Sequence, residues 1–216
     1  MYISTNAIIL KNTAYKESSI ISRAFTYDYG KISFLFRGAR KSKNNISGII
    51  EPGNSISITY FNSKANLKTV KEVSINDVFF NTRAILSSYY YKMAIVSIID
   101  KLSHDNHPEK DLYHVLIEVF KHIEKNNAPV DIIFVYFLFQ LAKSLGFELN
   151  NLPPSLSVAE KFNKFDFNLS EIELSNNDLR EIKILIYRHV RTHLIDLNDL
   201  HTVRNLRNYG LPTRPN

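Results

Sequence analysis

The first 75 or so residues alternate between apolar and polar positions with a period of two, which indicates short β-strands. The stretch Gly30–Lys43 shows the pattern most clearly, because Ile32, Phe34 and Phe36 fall on one phase and the residues between them on the other. Gly38 then breaks the alternation and lets the backbone turn. We therefore predict a half-buried strand that leads into a loop.

Five such segments are predicted in this part of the chain. They are Ala7–Lys11, Ser19–Thr26, the strand from Gly30 to Arg37, Ser55–Tyr60 and Leu67–Ile75. Asn12–Ser18 is polar and predicted as a turn, and Asn44–Gly53 as a longer loop. In the last strand Val70 is out of phase with Val73 and Ile75, which indicates a β-bulge. Five short strands predict a small closed barrel, of the OB-fold or the SH3-like type.

From about Thr82 the apolar spacing becomes helical. Apolar stripes predict one helix through Leu86 and Ile99, a second with Pro108 in its first turn, and a third opened by Pro129. Within the third, Ile132–Ala142 is apolar except for Gln140. Eleven residues are too few for a bilayer, which needs about 20, so we predict a helix buried on all sides.

The last third of the chain contains one further long helix. Ser175 followed by Asp178 is typical of a capping box at its start. We predict a short final helix over Asp199–Arg207, a frayed tail after Gly210, and little regular structure over Asn150–Asp166. The predicted fold class is therefore α+β, with an N-terminal five-stranded β-barrel of the OB-fold or SH3-like type over residues 1–80 and an all-α helical domain over residues 81–216.

The charge is unevenly distributed along the chain. The net charge is +6, but Met1–Arg83 holds 12 Lys and Arg against 5 Asp and Glu, whereas Ala84–Asn216 holds 15 against 16. A basic half is typical of a nucleic-acid module. An anionic membrane is the weaker alternative, because that half has no basic amphipathic helix.

Composition also bears on the compartment. The chain has no cysteine, which excludes disulfides and thiolate metal sites and is consistent with a reducing cytosol. Its N-terminus lacks a charged segment followed by an apolar one, so no signal peptide is predicted.

Catalytic motifs are not evident in the sequence. The glycine-rich phosphate loops and the nucleophile elbow G-x-S-x-G are missing. His189 and His193 have metal-ligand spacing, but Val190 stands where a metalloprotease has glutamate. Because Arg188 and Arg191 would also repel a cation, we interpret the histidines as structural. We expect no catalysis, metal or cofactor.

A cluster of cations follows the third strand. Arg37, Arg40, Lys41 and Lys43 place four positive charges in seven residues without an acid. Either the loop is merely solvated, or a polyanion neutralises it. Tyrosines in polar turns beside lysines could stack bases, at roughly 1–3 kcal/mol per base. The candidate nucleic-acid-binding residues are Tyr15, Lys16, Tyr29, Lys31, Arg37, Arg40, Lys41 and Lys43.

The order of short motifs resembles a known family. The N-terminal motifs are Ala7–Leu10, Tyr15–Ser18, Thr26–Lys31, Arg37-Gly38-Ala39-Arg40 with Ser42, and Glu51-Pro52. Together they resemble the start of the RecO family of bacterial DNA repair proteins. Leu138–Phe147 and Tyr187–Leu194 are similar to helices in the C-terminal part of that family.

The resemblance implies a recombination mediator that acts in DNA repair. Such proteins have an N-terminal OB-fold and a helical domain, bind single- and double-stranded DNA and anneal complementary strands. They act with RecR to help RecA load onto DNA coated by single-strand-binding protein. The resemblance also implies a cytoplasmic protein that acts at the nucleoid and does not bind a membrane. The basic positions that carry over are Lys31, Arg37, Arg40, Lys41 and Lys43.

One region departs from the family pattern. Many members carry a four-cysteine zinc module after the segment that matches Gly146-Phe147. Here Glu148–Phe167 has no cysteine, so residues 148–170 are predicted to replace that module.

Two other functions remain open from the sequence. The barrel could bind RNA, or the chain could be an adaptor whose basic loop docks an acidic protein. The helical half is near neutral and could recognise proteins through an apolar groove edged by cations. Candidates by composition are Lys121, Lys125, Lys143, Arg188 and Arg191.

Overall fold

The computed structural model describes residues 1–41, 46–79, 85–150, 152–165 and 168–206. The strands are β1 (Tyr2–Tyr15), β2 (Ser19–Thr26), β3 (Gly30–Phe36), β4 (Ser55–Phe61) and β5 (Leu67–Asp77). The α-helices are α1 (Ile46–Ile49), α2 (Leu86–Leu102), α3 (Lys110–Lys125), α4 (Val130–Ser144), α5 (Asn176–His193) and α6 (His201–Arg204). The 3-10 segments are Pro154–Asn163, Leu169–Glu171 and Leu197–Asp199.

The five strands close into a barrel in the order β1-β2-β3-β5-β4. Closure is possible because β1 pairs antiparallel with both β2 and β4. β3 and β5 run parallel, with Ser33 opposite Leu67. This is an OB-fold. The prediction of an α+β chain that starts with a five-stranded OB-fold barrel is confirmed, and the SH3-like alternative is set aside.

The alternation in β3 delivers its aromatic face to the barrel core. Ile32, Phe34 and Phe36 are buried, whereas Ser33 and Leu35 are partly exposed. The core residues that surround them are Ala7, Ile9, Ala24, Ala39, Ile50, Ile56, Ile58 and Tyr60. Burial of these side chains from several strands holds the barrel closed.

The prediction of a turn over Asn12–Ser18 is wrong. β1 continues to Tyr15, after a bulge between Ile9 and Lys11 that bends the strand. The Asn12 amide donates to the carbonyl of Ile50 at 2.7 Å, and its oxygen accepts from the Ser22 hydroxyl at 2.6 Å. The polar side chain of Asn12 thus forms hydrogen bonds within the barrel unit, and only residues 16–18 form the turn.

Two further segments bear on the N-terminal predictions. The register of β4 and β5 shifts between Thr59 and Tyr60, which confirms the bulge near Val70. The predicted loop Asn44–Gly53 contains the short helix α1, because Ile46 and Ile49 pack against the barrel core. The Asn54 amide donates to carbonyls at the end of that helix.

The chain divides into two compact units. One comprises Met1–Phe79 and Ile99–Tyr113, and the other Phe80–Ile98 and His114–Asn216. The predicted boundary after residue 80 assigns residues 99–113 to the helical domain, whereas in the structure they belong to the barrel unit. The division into two independent domains stays a prediction.

The returning segment pairs with the start of β3. The Lys31 amide donates to the His104 carbonyl, and the Asn106 amide donates to the Lys31 carbonyl, both at 3.2 Å. Gly30 has φ +68°, and a Cβ there would lie 2.1 Å from the carbonyl oxygen of His107. Only glycine permits so close an approach of the two backbones.

The helical unit is built around α4. Ile132–Ala142 are all buried, Gln140 included, which confirms the fully buried helix. Ser175 and Asp178 form the predicted capping box at the start of α5. α3 begins at Lys110, two residues after the predicted Pro108.

The prediction of little regular structure over Asn150–Asp166 is wrong for most of that segment. Pro154–Asn163 forms 3-10 turns, and Phe162 is fully buried with its ring centroid 5.4 Å from that of Phe139. The Gln140 amide donates to the Phe162 carbonyl at 2.6 Å. Apolar packing thus orders the segment where the family resemblance implies a zinc module.

The C-terminal prediction is only partly accessible. Within the predicted final helix Asp199–Arg207, α6 covers His201–Arg204, and the 3-10 segment Leu197–Asp199 overlaps it only at Asp199. Arg207 and the tail after Gly210 lie outside the described residues. Across the ranges given above, no helix combines the length and apolar composition needed to cross a membrane.

Candidate nucleic-acid interface

The β1–β2 turn and the loop that follows β3 lie side by side at one end of the barrel. The Arg40 amide donates to the Ser18 carbonyl at 2.9 Å, and the Arg40 Nη1 atom lies 3.4 Å from the Lys16 carbonyl oxygen. Ala39 is 1% exposed and packs in the barrel core. The start of the β3 loop is therefore anchored to the scaffold, although the side chains of Arg37, Arg40 and Lys41 are exposed.

Between the two segments lies an open groove of about 810 Å³, called here the basic groove. It is lined by Tyr15, Lys16, Ser18, Ser19, Leu35, Arg37, Gly38 and Lys41. None of these lining residues is acidic. Glu17 is exposed in the same turn but is not among them.

The cations of the basic groove are open to solvent. Lys16, Arg37 and Lys41 are exposed, and no carboxylate in the part of the chain that the structure describes lies within salt-bridge distance of them. Tyr15 is 37% exposed, with the Lys16 Nζ atom 5.4 Å from its ring centroid. The groove thus offers positive charge for phosphates and one ring edge or face for a base.

Tyr29 and Lys31, two of the predicted site residues, do not line the basic groove. Lys31 lies near the start of β3 and Arg37 directly follows its end, so the two residues are about 20 Å apart along the strand at roughly 3.3 Å per residue. The Lys31 ammonium donates to the Asp100 carbonyl at 2.9 Å and lies 3.9 Å from an oxygen of Asp105. Because its side chain is only 12% exposed, Lys31 is engaged within the fold.

Tyr29 lies with Lys31 in the region of the β2–β3 turn. Its ring is 38% exposed and meets Tyr60 edge to face, with centroids 6.5 Å apart. Burial raises the pKa of Tyr60 to about 12, with smaller contributions from Tyr29 and Asp28. Tyr60 therefore keeps its proton at neutral pH, and Tyr29 packs against an uncharged ring.

One predicted site residue cannot be placed, and three residues that line the groove were not predicted. Lys43 lies outside the described residues. Ser18, Ser19 and Leu35 line the groove but were not singled out by the sequence. Leu35 stands on the outward phase of β3, which is the signal that could have indicated it.

The histidine pair of α5 takes part in an aromatic stack. The rings of His189 and His193 are 4.6 Å apart, and His193 stacks on Phe147 at 5.2 Å. The His189 Nε2 atom lies 2.7 Å from the Phe147 carbonyl oxygen. Contacts with Phe147 thus give the four-residue spacing of His189 and His193 a structural explanation. Within the described ranges, no group of three or more His, Asp or Glu side chains is placed to hold a metal ion.

Together, the barrel, its basic groove and the helices that follow define an OB-fold protein with an α-helical C-terminal region. Family models described as "Recombination protein O N terminal" and "Recombination protein O C terminal" match residues 1–79 and 83–151. The chain therefore belongs to the RecO family.

Its curated relatives are distant in sequence. A DNA repair protein RecO from Prosthecochloris aestuarii is 24% identical over 149 residues, which cover 68% of this chain and 56% of the relative. One from Chlorobium limicola is 23% identical over 151 residues, covering 68% and 57%. One from Listeria monocytogenes is 25% identical over 167 residues, covering 76% and 63%. The chain thus spans little more than half the length of these relatives.

Proposed function

We propose that this chain is a DNA-binding recombination mediator that works in DNA repair and homologous recombination. It binds single- and double-stranded DNA, anneals complementary strands and helps RecA to load. The observation that carries the proposal is the basic groove, in which three exposed cations and a half-exposed tyrosine line one open surface without an acid. Membership of a family whose curated relatives are named DNA repair proteins supports it.

The proposed mode of binding follows from the chemistry of the groove. Lysine and arginine neutralise phosphates and release counterions, which gives affinity without sequence preference. Such a surface can hold two strands and lower their mutual repulsion, which favours annealing. Binding and annealing need no catalytic residue, and we assign none.

The site residues divide by their surroundings. Tyr15, Lys16, Arg37, Arg40 and Lys41 form the proposed DNA contact at the groove. Tyr29, Lys31 and Lys43 stay predictions, and Lys31 is the weakest of them because the protein itself engages its ammonium.

The partners and location are proposed from family membership. RecR, single-strand-binding protein and, indirectly, RecA are the expected protein partners. The expected place of action is the nucleoid, within the cytoplasm. The helical region is the proposed protein-docking part, with Lys121, Lys125, Lys143, Arg188 and Arg191 as candidate edges.

The test is binding to fluorescent single-stranded DNA over a series of salt concentrations. About four to six phosphate contacts predict a log–log slope of roughly −3 to −4. Changing Arg37, Arg40 and Lys41 to alanine should make that slope shallower by about two and weaken binding. The same triple variant should anneal complementary strands more slowly.

A matched control removes equal charge from the helical region. Lys161, Lys164 and Arg180 are exposed, and their triple alanine variant should keep the wild-type slope. Equal binding by both variants and the wild type would show that the groove is only a solvated cluster. Stronger binding of RNA of the same sequence would favour the RNA-binding alternative. Binding of an acidic protein without any DNA binding would favour the adaptor.

A further inference from the structure

An exposed aromatic pair lies at the other end of β1 from the basic groove. Tyr2 in β1 and Phe61 in β4 are register partners, and their rings meet edge to face with centroids 5.7 Å apart. Tyr2 is 52% exposed and Phe61 47%. Two large rings kept in solvent beside each other bury little apolar surface, so packing within the barrel does not explain them.

A lysine completes this surface. The Lys71 Nζ atom lies 4.9 Å from the centroid of the Tyr2 ring. It also lies 3.3 Å from an oxygen of Glu72, in an ion pair exposed on both sides. We call Tyr2, Phe61 and Lys71 the aromatic patch. The Glu72 carboxylate is solvated, so the pair is weak and Lys71 can exchange it for another anion.

The segment around the patch is basic. From Phe61 to Lys71 the chain carries Lys64, Lys68 and Lys71 and no acid. Lys64 is exposed at the tip between β4 and β5. Rings open to solvent beside cations offer both a stacking surface for bases and charge for the phosphates that join them. That combination favours a single strand over a neutral apolar partner.

We propose that the aromatic patch is a second contact for single-stranded nucleic acid, in which a base stacks on Tyr2 or Phe61 and Lys71 contacts the adjoining phosphate. The proposal rests on the function proposed above and extends it. Tyr2 and Tyr15 lie at the two ends of β1, so the patch and the basic groove are at most about 47 Å apart along the strand. One OB barrel covers about 4–16 nucleotides, so one strand can reach both.

The direct test uses the lack of tryptophan in this chain. Phe61→Trp places a single indole in the patch, and Phe165→Trp places one at an equally exposed phenylalanine of the helical unit. Oligo(dT) of about 30 nucleotides is added, longer than one barrel covers. Stacking of a base should quench the fluorescence of the Phe61→Trp variant in a saturable way and leave that of the Phe165→Trp variant unchanged.

A second measurement separates stacking from charge. Phe61→Ala and Tyr2→Ala remove rings but no cation, so the affinity should fall about 5- to 150-fold while the salt slope stays the same. Ile75→Ala, at an exposed apolar residue of β5, is the control and should bind like the wild type.

The outcomes distinguish this inference from the proposed function. If anisotropy shows salt-dependent binding but the indole of the Phe61→Trp variant does not respond, the patch is not a nucleic-acid contact and the basic groove stands alone. If no DNA binds at all, both proposals fall. If the emission of that indole shifts with protein concentration in the absence of DNA, the patch joins copies of this chain, which also overturns the inference.

Discussion

Gly30 occupies a position at which a side chain would collide with a neighbouring backbone. It has φ +68°, and a Cβ would lie 2.1 Å from the His107 carbonyl oxygen. Gly146 has a similar φ of +82°, but a Cβ there would meet nothing within 4 Å. The two glycines therefore separate the cost of backbone strain from that of collision.

We predict that Gly30→Ala lowers the free energy of unfolding by at least about 3 kcal/mol, and Gly146→Ala by about 1–2 kcal/mol, the cost of a left-handed conformation alone. Urea unfolding followed by circular dichroism measures both. Equal losses at the two positions would mean that residues 104–107 do not press against β3.

The cations in and after β3 show which properties of single residues can be predicted from the sequence and which cannot. The cations after β3 could be predicted as a cluster because they are adjacent in the sequence. The partner of Lys31 could not, because the Asp100 carbonyl is 69 residues away. The sequence does not show whether the ammonium of a lysine in a basic stretch faces solvent or donates to the backbone of a distant loop. Only the fold distinguishes Lys31 from Arg37.

At the scale of elements, the 3-10 segment Pro154–Asn163 is the clearest departure from the sequence prediction. Pro153 and Pro154 at its start indicated irregular structure. Leu156, Ala159 and Phe162 are nevertheless buried. Spacing of three is typical of a 3-10 helix, and it is too short a signal to stand out from one sequence.

We predict that Phe162→Ala destabilises the helical unit by about 3–5 kcal/mol, since it removes a fully buried ring that packs on Phe139. Phe165→Ala is the control: that side chain is 47% exposed, and its loss should cost less than about 0.5 kcal/mol. Thermal or urea unfolding compares the two. Similar small losses would show that the segment does not contribute to the core.

The strands show the same contrast between pattern and context. β3 could be predicted because its core face alternates without interruption. The second half of β1 was missed because a bulge at Leu10 shifts the phase and Asn12, a turn former, bonds to Ser22 and Ile50 instead. Alternation identifies a strand only where the strand is regular and its polar residues face solvent.

At the scale of the whole molecule, the barrel unit is discontinuous in sequence. Residues 99–113 belong to it although they follow the first part of α2. Besides the Lys31 pairing, the Arg23 guanidinium forms an ion pair with Asp100, and the Tyr113 ring lies 6.1 Å from that of Phe25. A change of period marks where helices start. It does not show that part of the helical sequence returns to complete an earlier fold.

This return can be tested in the intact chain by amide hydrogen exchange. The Asn106 amide bonds to the carbonyl of Lys31 in β3, whereas the Lys41 amide closes a local turn onto Gly38. A local turn opens alone, but a bond to a central strand opens only with that strand. We predict that Asn106 exchanges at rates like those of β2 and β3 amides, and much more slowly than Lys41.

Gly30→Ala sharpens the same experiment. By forcing the backbone of His107 away from β3, it should speed the exchange of Asn106 more than that of amides between β1 and β4. If Asn106 already exchanges as fast as Lys41 in the wild type, the segment is not part of the barrel's cooperative unit. The boundary after residue 80 would then describe the molecule better than the discontinuous unit. Slow exchange that Gly30→Ala relieves would instead show that residues 99–113 belong to the cooperative unit of the barrel.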